Sequence, residues 1–131
     1  MDEIRKERVV RKTPVSVPEN LDAALESLTK NLTPEKKAEV LALSEEEFCA
    51  RNHFFLGMTL RNAWGLWTGG PLKEWFKLGG IHHADDMSSI ILRCLHRDLA
   101  GVPRDVGGQM KKIIKWYQDN PPAKNHKKVR E

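Results

Sequence analysis

The stretch from His82 to Ser89 holds the densest group of side chains that could carry out chemistry. Its histidines and aspartates offer nitrogen and oxygen ligands for zinc, manganese or iron. Together with Ser88 they also contain the atoms of a nucleophilic triad. Neighbours in one short turn point to different sides, however, and the sequence has neither an HxxxH nor an HExxH spacing. We therefore predict no catalytic residue, no metal site and no cofactor, and keep a small enzyme or metal protein around His82–Ser89 as an alternative.

A second polar group begins at Arg61, which the sequence pattern places within a helix beside Trp64. Its guanidinium could pair with Asp85 or Asp86 across the domain and fix the Gly-Gly turns between them. It could instead lie in a surface pocket and bind a carboxylate or phosphate of a ligand. The candidates for this structural lock or ligand pocket are Arg61, Asn62, Asp85, Asp86 and Ser88.

Four tryptophans are many for 131 residues, and a domain of this size cannot easily bury them all. Trp67 follows the end of a predicted helix, and Trp75 lies on a two-turn helix between two Gly-Gly pairs. Leu72 and Phe76 should face the core, which leaves Trp75 at the edge of that face. Since aromatic side chains dominate interface hot spots, we predict a partner-binding surface formed by Trp67, Trp75, His82 and His83.

Positive charge is concentrated at the C-terminal end of the chain. Residues 104–131 hold eight basic and three acidic residues, a net charge of +5, whereas residues 21–103 have a net charge of −2. Such a segment is a solubilising tail or a contact surface for nucleic acid or an acidic protein. In a nucleic-acid-associated protein, phosphate contacts would come from Lys111, Lys112, Lys115, Lys124, Lys127, Lys128 and Arg130.

These side chains must be positioned by helices, because apolar residues recur at helical spacing and no alternating strand pattern competes. We predict a single compact all-α domain of five to six short-to-medium helices over residues 20–120. Residues 1–19 are predicted to be a flexible arm and residues 121–131 a basic disordered tail. Helix starts are indicated by Thr33 with Pro34, by the capping box Ser44…Glu47, by Asp85 or Asp86, and by Asp105. The helix that follows Ser44 is expected to continue to about Trp67.

The chain has no run of 18 apolar residues, so we expect no membrane span. Its first residues lack the apolar stretch of a secretory signal. Cys49 and Cys94 are far apart and form neither a zinc nor a disulfide pattern, so both are expected to be free thiols. We therefore expect a cytoplasmic protein without a membrane partner. The sequence leaves its oligomeric state open.

Short motifs are spread over the region from Leu21 to Val102. They are Leu56-Gly57, Arg61-Asn62, Gly65-Leu66-Trp67, Gly80-Ile81-His82, Asp85-Asp86-Met87-Ser88 and Ile90-Ile91-Leu92. In these motifs the chain resembles a small family from bacteria and phages that is described as a domain of unknown function. His83 stands where that family is expected to have a proline. The resemblance implies a small helical domain and supplies no reaction, substrate or cofactor.

The function predicted from the sequence is therefore non-enzymatic. We expect an intracellular protein-interaction or inhibitor module that binds another protein through the region Trp67–His83. The resemblance and the small size indicate a bacterial or phage accessory or anti-defence factor. Nucleic-acid binding through the basic segment is the first alternative.

Overall fold

The computed structural model describes residues 17–121, which form seven α-helices and no strand. The helices are α1 (Leu21–Lys30), α2 (Pro34–Leu41), α3 (Glu45–Asn52), α4 (Leu56–Ala63), α5 (Pro71–Leu78), α6 (Ala84–Ala100) and α7 (Val106–Asp119). The predicted all-α class is confirmed, and the predicted count of five to six helices is wrong. Most of the predicted arm and tail lies outside the described residues, but Val17 packs against the core.

Capping residues begin several helices where the sequence places them. The backbone N–H of Lys36 donates to Thr33 Oγ1 at 3.1 Å and starts α2. Ser44 and Glu47 form the predicted capping box at α3, with reciprocal bonds of 3.0 and 3.1 Å. Each bond satisfies a backbone donor that has no partner inside the helix. The same type of cap is present at Asn20 and Asp105.

The long helix expected after Ser44 is in fact two helices, α3 and α4, separated by the turn His53–Phe55. Phe55 has φ −103° and ψ −87°, outside the helical region. Its N–H donates to the carbonyl of Asn52, and the carbonyl of His53 accepts a bond from the side chain of Arg61. This break is the reason that the helix count exceeds the prediction.

Helix α6 is the centre of the fold, because each of the other six helices packs against it. It is buried around most of its circumference, as expected for a central helix. His96 is buried on this helix, and its Nε2 is 2.8 Å from the carbonyl oxygen of Leu43. The buried apolar residues of the core are Leu21, Ala24, Leu25, Phe48, Leu60, Trp64, Leu66, Leu72, Phe76, Ile81, Ala84, Met87, Ile90, Ile91, Leu92, Cys94 and Leu95.

The prediction that Asp85 or Asp86 caps α6 is wrong. The cap position is His83, which makes no side-chain capping bond. Because α6 begins at Ala84, both aspartates lie in its first turn, where a carboxylate stabilises the positive end of the helix dipole. Their side chains are therefore available for contacts with other helices.

The turn after α5 brings that helix close to α7. Gly80 has φ +94°, and a Cβ atom there would lie 2.8 Å from Ile114 Cδ1. A side chain at this position would therefore be both strained and crowded. Within α5, Leu72 and Phe76 are fully buried, as their spacing predicts. The close approach of turn and helix places His83 next to the C-terminal part of α7.

Candidate functional site

Arg61 is the most deeply buried charged residue of the described chain, with a relative exposure of 2%. Its Nη1 donates to Ser88 Oγ at 2.7 Å, and its Nη2 donates to the carbonyl of His53 at 3.0 Å. The hydroxyl of Ser88 in turn donates to the carbonyl of Asp85 at 3.1 Å. Arg61 thus joins α4 to the α3–α4 turn and to the first turns of α6.

The remaining contacts of the guanidinium are with Asp85, which lies near its Nε atom, and with Trp67, whose ring lies against its Cζ atom. Arg61 Nε lies 3.6 Å from Asp85 Oδ1, too far for a hydrogen bond, and is the one buried side-chain nitrogen without a partner in the described chain. The Arg61 Cζ atom lies 5.6 Å from the centre of the Trp67 ring, within cation–π range. The geometry has the character of a structural lock, because the arginine is enclosed rather than open to a ligand.

The absence of a side chain at Gly57 leaves room for the guanidinium of Arg61. A Cβ atom on Gly57 would lie 3.0 Å from Arg61 Nη1 and 3.1 Å from the carbonyl oxygen of Asn52. Both distances are shorter than ordinary contacts, so a larger residue would displace the guanidinium or the end of α3. The motif residues Gly57, Arg61 and Ser88 therefore belong to one structural unit.

Two of the five lock candidates lie elsewhere. Asn62 is exposed and lines the groove described below, since it follows Arg61 by about 100° around α4. The hydrogen bonds of the guanidinium go to Ser88 and His53 instead. Asp86 accepts a hydrogen bond of 2.8 Å from the hydroxyl of Tyr117. Burial, followed by the bond to Asp86, raises the pKa of Tyr117 to about 12. Asp86 therefore attaches α7 to α6 rather than pairing with Arg61.

The structure does not bring the possible catalytic atoms of His82–Ser89 together. The Ser88 hydroxyl is buried between Arg61 and a carbonyl, whereas His82 is exposed. His83 stacks on the ring of Tyr117, with centroids 4.7 Å apart and planes 19° apart. Among residues 17–121, no group of three His, Cys, Asp or Glu side chains has an arrangement that could hold a metal ion.

The predicted partner-binding aromatics differ in exposure. The Trp67 side chain is 51% exposed, whereas Trp75 is only partly exposed, packs against the core and meets the ring of Phe76 edge-on. Leu78, at the end of α5, is 89% exposed. The region Trp67–His83 therefore presents apolar side chains at both ends of α5, with Trp75 taking a largely structural position.

The sequence reasoning missed an exposed apolar surface at the α3–α4 turn. Phe54 and Phe55 are 69% and 75% exposed, and Met58 is 42% exposed. They border a groove of about 700 Å³ between α2 and the α3–α4 turn, which we call the phenylalanine groove. Apolar residues that line it include Leu32, Val40, Leu43, Phe48, Leu56 and Leu95. The sequence signal that could have indicated it is the adjacent pair Phe54-Phe55, two large apolar side chains about 100° apart on the predicted helix.

An ion-pair network holds α3 to α6. The carboxylate of Glu45 accepts hydrogen bonds from Arg93 and from Arg97, the latter at 2.8 and 3.1 Å. The hydrogen bonds from Arg97 and Arg93 lower the pKa of Glu45 to about 2, against the opposing effect of burial. Because the network fixes α3, it also fixes one wall of the phenylalanine groove.

The two cysteines are not activated nucleophiles. Burial raises the pKa of Cys49 to about 11 and also raises the pKa of Cys94. A thiol with a raised pKa forms little of the reactive thiolate at neutral pH. Both are free in the structure, as expected.

Three of the predicted phosphate-binding residues, Lys111, Lys112 and Lys115, are exposed on α7. The other four, Lys124, Lys127, Lys128 and Arg130, lie outside the described residues. None of the helices α1–α7 is both long and apolar enough to cross a membrane.

The comparisons with known proteins identify the family of this chain and give no information on its activity. No significant match was found among curated proteins or among solved structures. The model of the family described as a domain of unknown function (DUF6794) matches residues 17–99, more than half of the chain. The match includes Arg61, Ser88 and the phenylalanine groove, and it ends before α7. The chain therefore belongs to the DUF6794 family.

Proposed function

We propose that this chain is a non-enzymatic protein-interaction module whose main docking surface is the phenylalanine groove. The observation that carries the proposal is the exposure of Phe54, Phe55 and Met58 beside an apolar groove. Exposed apolar patches larger than a few hundred Å² are characteristic of binding sites. Phenylalanine rings also lose little conformational entropy when a partner covers them.

The groove is suited to an amphipathic helix of another protein. Such a helix inserts an apolar face between the helices of its receptor, and the groove is bordered by helices on both sides. The charged residues at its edge, Lys36 and Glu39, have opposite signs and lie 3.7 Å apart. They largely neutralise each other, so apolar contacts rather than net charge would select the partner.

The α3–α4 turn that carries the phenylalanines is held in place before a partner arrives. Arg61 binds the carbonyl of His53 at 3.0 Å, and the ring of His53 meets that of Phe54 edge-on at 4.7 Å. A preorganised surface pays less ordering entropy on binding. In this proposal the buried lock therefore supports the docking surface and does not itself bind a ligand.

The region Trp67–His83 is the second docking surface in the proposal, and its exposed side chains include Trp67, Leu78, His82 and His83. We place the module inside the cell, in a bacterium or phage, and infer that it acts as an inhibitor or accessory factor, including an anti-defence role. These finer assignments are supported by the motif resemblance and the small size of the domain.

Paired alanine variants distinguish the two surfaces. We expect Phe55→Ala to weaken partner binding about tenfold or more, the effect of losing an aromatic anchor. Trp67→Ala should leave binding nearly unchanged if the groove is the main surface. The Phe55 side chain is exposed, so Phe55→Ala should change the free energy of unfolding by less than about 1 kcal/mol. Trp67→Ala also removes the cation–π contact with Arg61, so circular dichroism is used to show that both variants are folded. The affinity is measured by titration calorimetry with a partner purified on the full chain from an extract of its host.

The opposite pattern, with binding lost in Trp67→Ala and retained in Phe55→Ala, would move the docking site to the region Trp67–His83. A partner that binds both variants as tightly as the wild type would exclude both surfaces. The variant Glu39→Gln serves as a matched control, because it changes the charged edge of the groove and leaves the apolar contacts intact.

A further inference from the structure

A further surface with a different chemistry is formed by α7, which lies outside the family match, and by His83 beside it. His83 stacks on Tyr117, and Trp116 meets Tyr117 edge-on with centroids 5.0 Å apart. Trp116 is 57% exposed, and His83 is also exposed. We call these three residues, His83, Trp116 and Tyr117, the ring platform.

The ring platform is held in place by contacts beneath it. The hydroxyl of Tyr117 donates to Asp86 Oδ2 at 2.8 Å. One turn earlier on α7, Ile114 lies against Gly80, where even a Cβ atom would approach it to 2.8 Å. The rings of His83 and Tyr117 are therefore fixed, whereas the Trp116 ring has solvent on much of its surface.

Lysines adjoin the ring platform on the exposed side of α7. Lys112 precedes Trp116 by four residues and therefore lies one turn away on the same face. Lys111 and Lys115 are exposed on the adjoining face, where Lys115 is 3.1 Å from Asp119. Within residues 17–121, neither Lys111 nor Lys112 has a carboxylate within ion-pair distance. This surface thus has positive charge that the described chain does not neutralise.

Four acidic side chains line a pocket together with Lys112, and each already accepts a hydrogen bond. Asp105 accepts one from the backbone N–H of Gly108. Glu46 is 3.0 Å from Arg93, Glu45 is bound by two arginines, and Asp86 is bound by Tyr117. In sequence, residues 122–131 add four basic residues and one acidic residue directly after α7. Positive charge therefore continues along the chain from the ring platform toward the C-terminus.

We propose that the ring platform and the lysines of α7 bind single-stranded nucleic acid. Unpaired bases would stack on Trp116 and His83, and phosphates would contact Lys111 and Lys112. Single-strand-binding proteins combine a positive surface that follows the backbone with aromatic rings that accept bases of any sequence. An acidic protein would satisfy the lysines alone, whereas a nucleic acid uses both the rings and the charges. The site is independent of the phenylalanine groove.

The test is fluorescence anisotropy of a labelled oligothymidylate of about 20 nucleotides with the full chain at about 50 mM salt, where phosphate contacts are strong. We expect Trp116→Ala to weaken binding about tenfold, the effect of losing one stacked base, and Trp116→Phe to restore most of it. Lys112→Gln should reduce the slope of log affinity against log salt by roughly 0.7, the value for one phosphate contact of a single strand.

Val102→Ala is the control, because Val102 is 49% exposed, close to the value for Trp116, but lies outside the ring platform; it should bind like the wild type. Far-UV circular dichroism shows whether each variant is folded. The proposal is overturned by a wild type that does not bind the oligonucleotide, or by Trp116→Ala binding as tightly as the wild type. Equal affinity for a duplex of the same length would also overturn it, since paired bases cannot stack on the rings. Equal affinity for polyglutamate would assign the surface to an acidic protein instead.

Discussion

Arg61→Ala is expected to lower the free energy of unfolding by roughly 2–4 kcal/mol, because the substitution removes a buried, hydrogen-bonded charge. The substitution leaves the carbonyl of His53 without its side-chain donor and removes a partner of the Ser88 hydroxyl. It also empties the space that the guanidinium fills between α4, α6 and Trp67. Asp85 contributes little to the effect, because its side chain is 59% exposed and the ion pair is long.

Urea unfolding monitored by circular dichroism measures this change, with an unchanged m-value indicating that the folded and unfolded states remain comparable. Arg61→Lys should fall between the wild type and Arg61→Ala, because an ammonium group cannot reproduce the fixed geometry of the two guanidinium bonds. Arg51→Ala is the control, since Arg51 is exposed on α3 and should change stability by less than about 0.5 kcal/mol. If Arg61→Ala unfolds at the same urea concentration as Arg51→Ala, the lock does not stabilise the domain.

Glu45→Gln is expected to lower the free energy of unfolding at pH 7 by roughly 2–3 kcal/mol. The substitution removes the negative charge between Arg93 and Arg97 and leaves two partly buried guanidinium groups facing each other. Glu46→Gln is a close control, because Glu46 also contacts Arg93 but has a side chain that is 80% exposed. Glu46→Gln should lower the free energy of unfolding by less than about 0.5 kcal/mol.

The pH dependence of the free energy of unfolding, compared between the wild type and Glu45→Gln, gives a second measurement. The hydrogen bonds from Arg97 and Arg93 lower the pKa of Glu45 from 4.5 to about 2. A group with a lowered folded-state pKa stabilises the protein above its unfolded pKa, and this contribution is lost as the pH falls toward the folded value. The stability difference between wild type and Glu45→Gln should therefore be full above about pH 5 and shrink steadily between pH 4.5 and 2. A difference that stays constant over this range would show that the carboxylate charge is not responsible.

Several features of the fold could be read from the sequence because they depend on neighbours along the chain. The caps at Thr33, Ser44 and Asp105 involve residues three positions apart. The buried stripe of α6 follows directly from its apolar spacing. The resemblance to a family described as a domain of unknown function is confirmed by the family match over residues 17–99.

The break that divides the predicted long helix into α3 and α4 could not be predicted from the sequence. The apolar pattern continues through His53–Phe55, and no glycine or proline marks the break. The carbonyl that the break frees is bound by Arg61, eight residues later, and Arg61 is held in turn by Ser88 on α6. Only the packing of α4 against α6 decides that this arrangement replaces an ordinary helical turn.

Some features of the candidate site could likewise be predicted from the sequence, whereas others could not. Residue types alone indicated that Arg61 and the Asp85–Ser88 turn belong together. They did not indicate that Ser88 would accept the hydrogen bond from Arg61, or that Asp86 would accept one from Tyr117. The pairing of Glu45 with Arg93 and Arg97 joins residues 48 and 52 positions apart, and the exposure of Phe54 and Phe55 depends on which helices cover them. The sequence by itself determined the helices that begin at local caps, whereas the tertiary structure decided their partners, since contacts across the domain depend on how the helices pack and not on the spacing within any one of them.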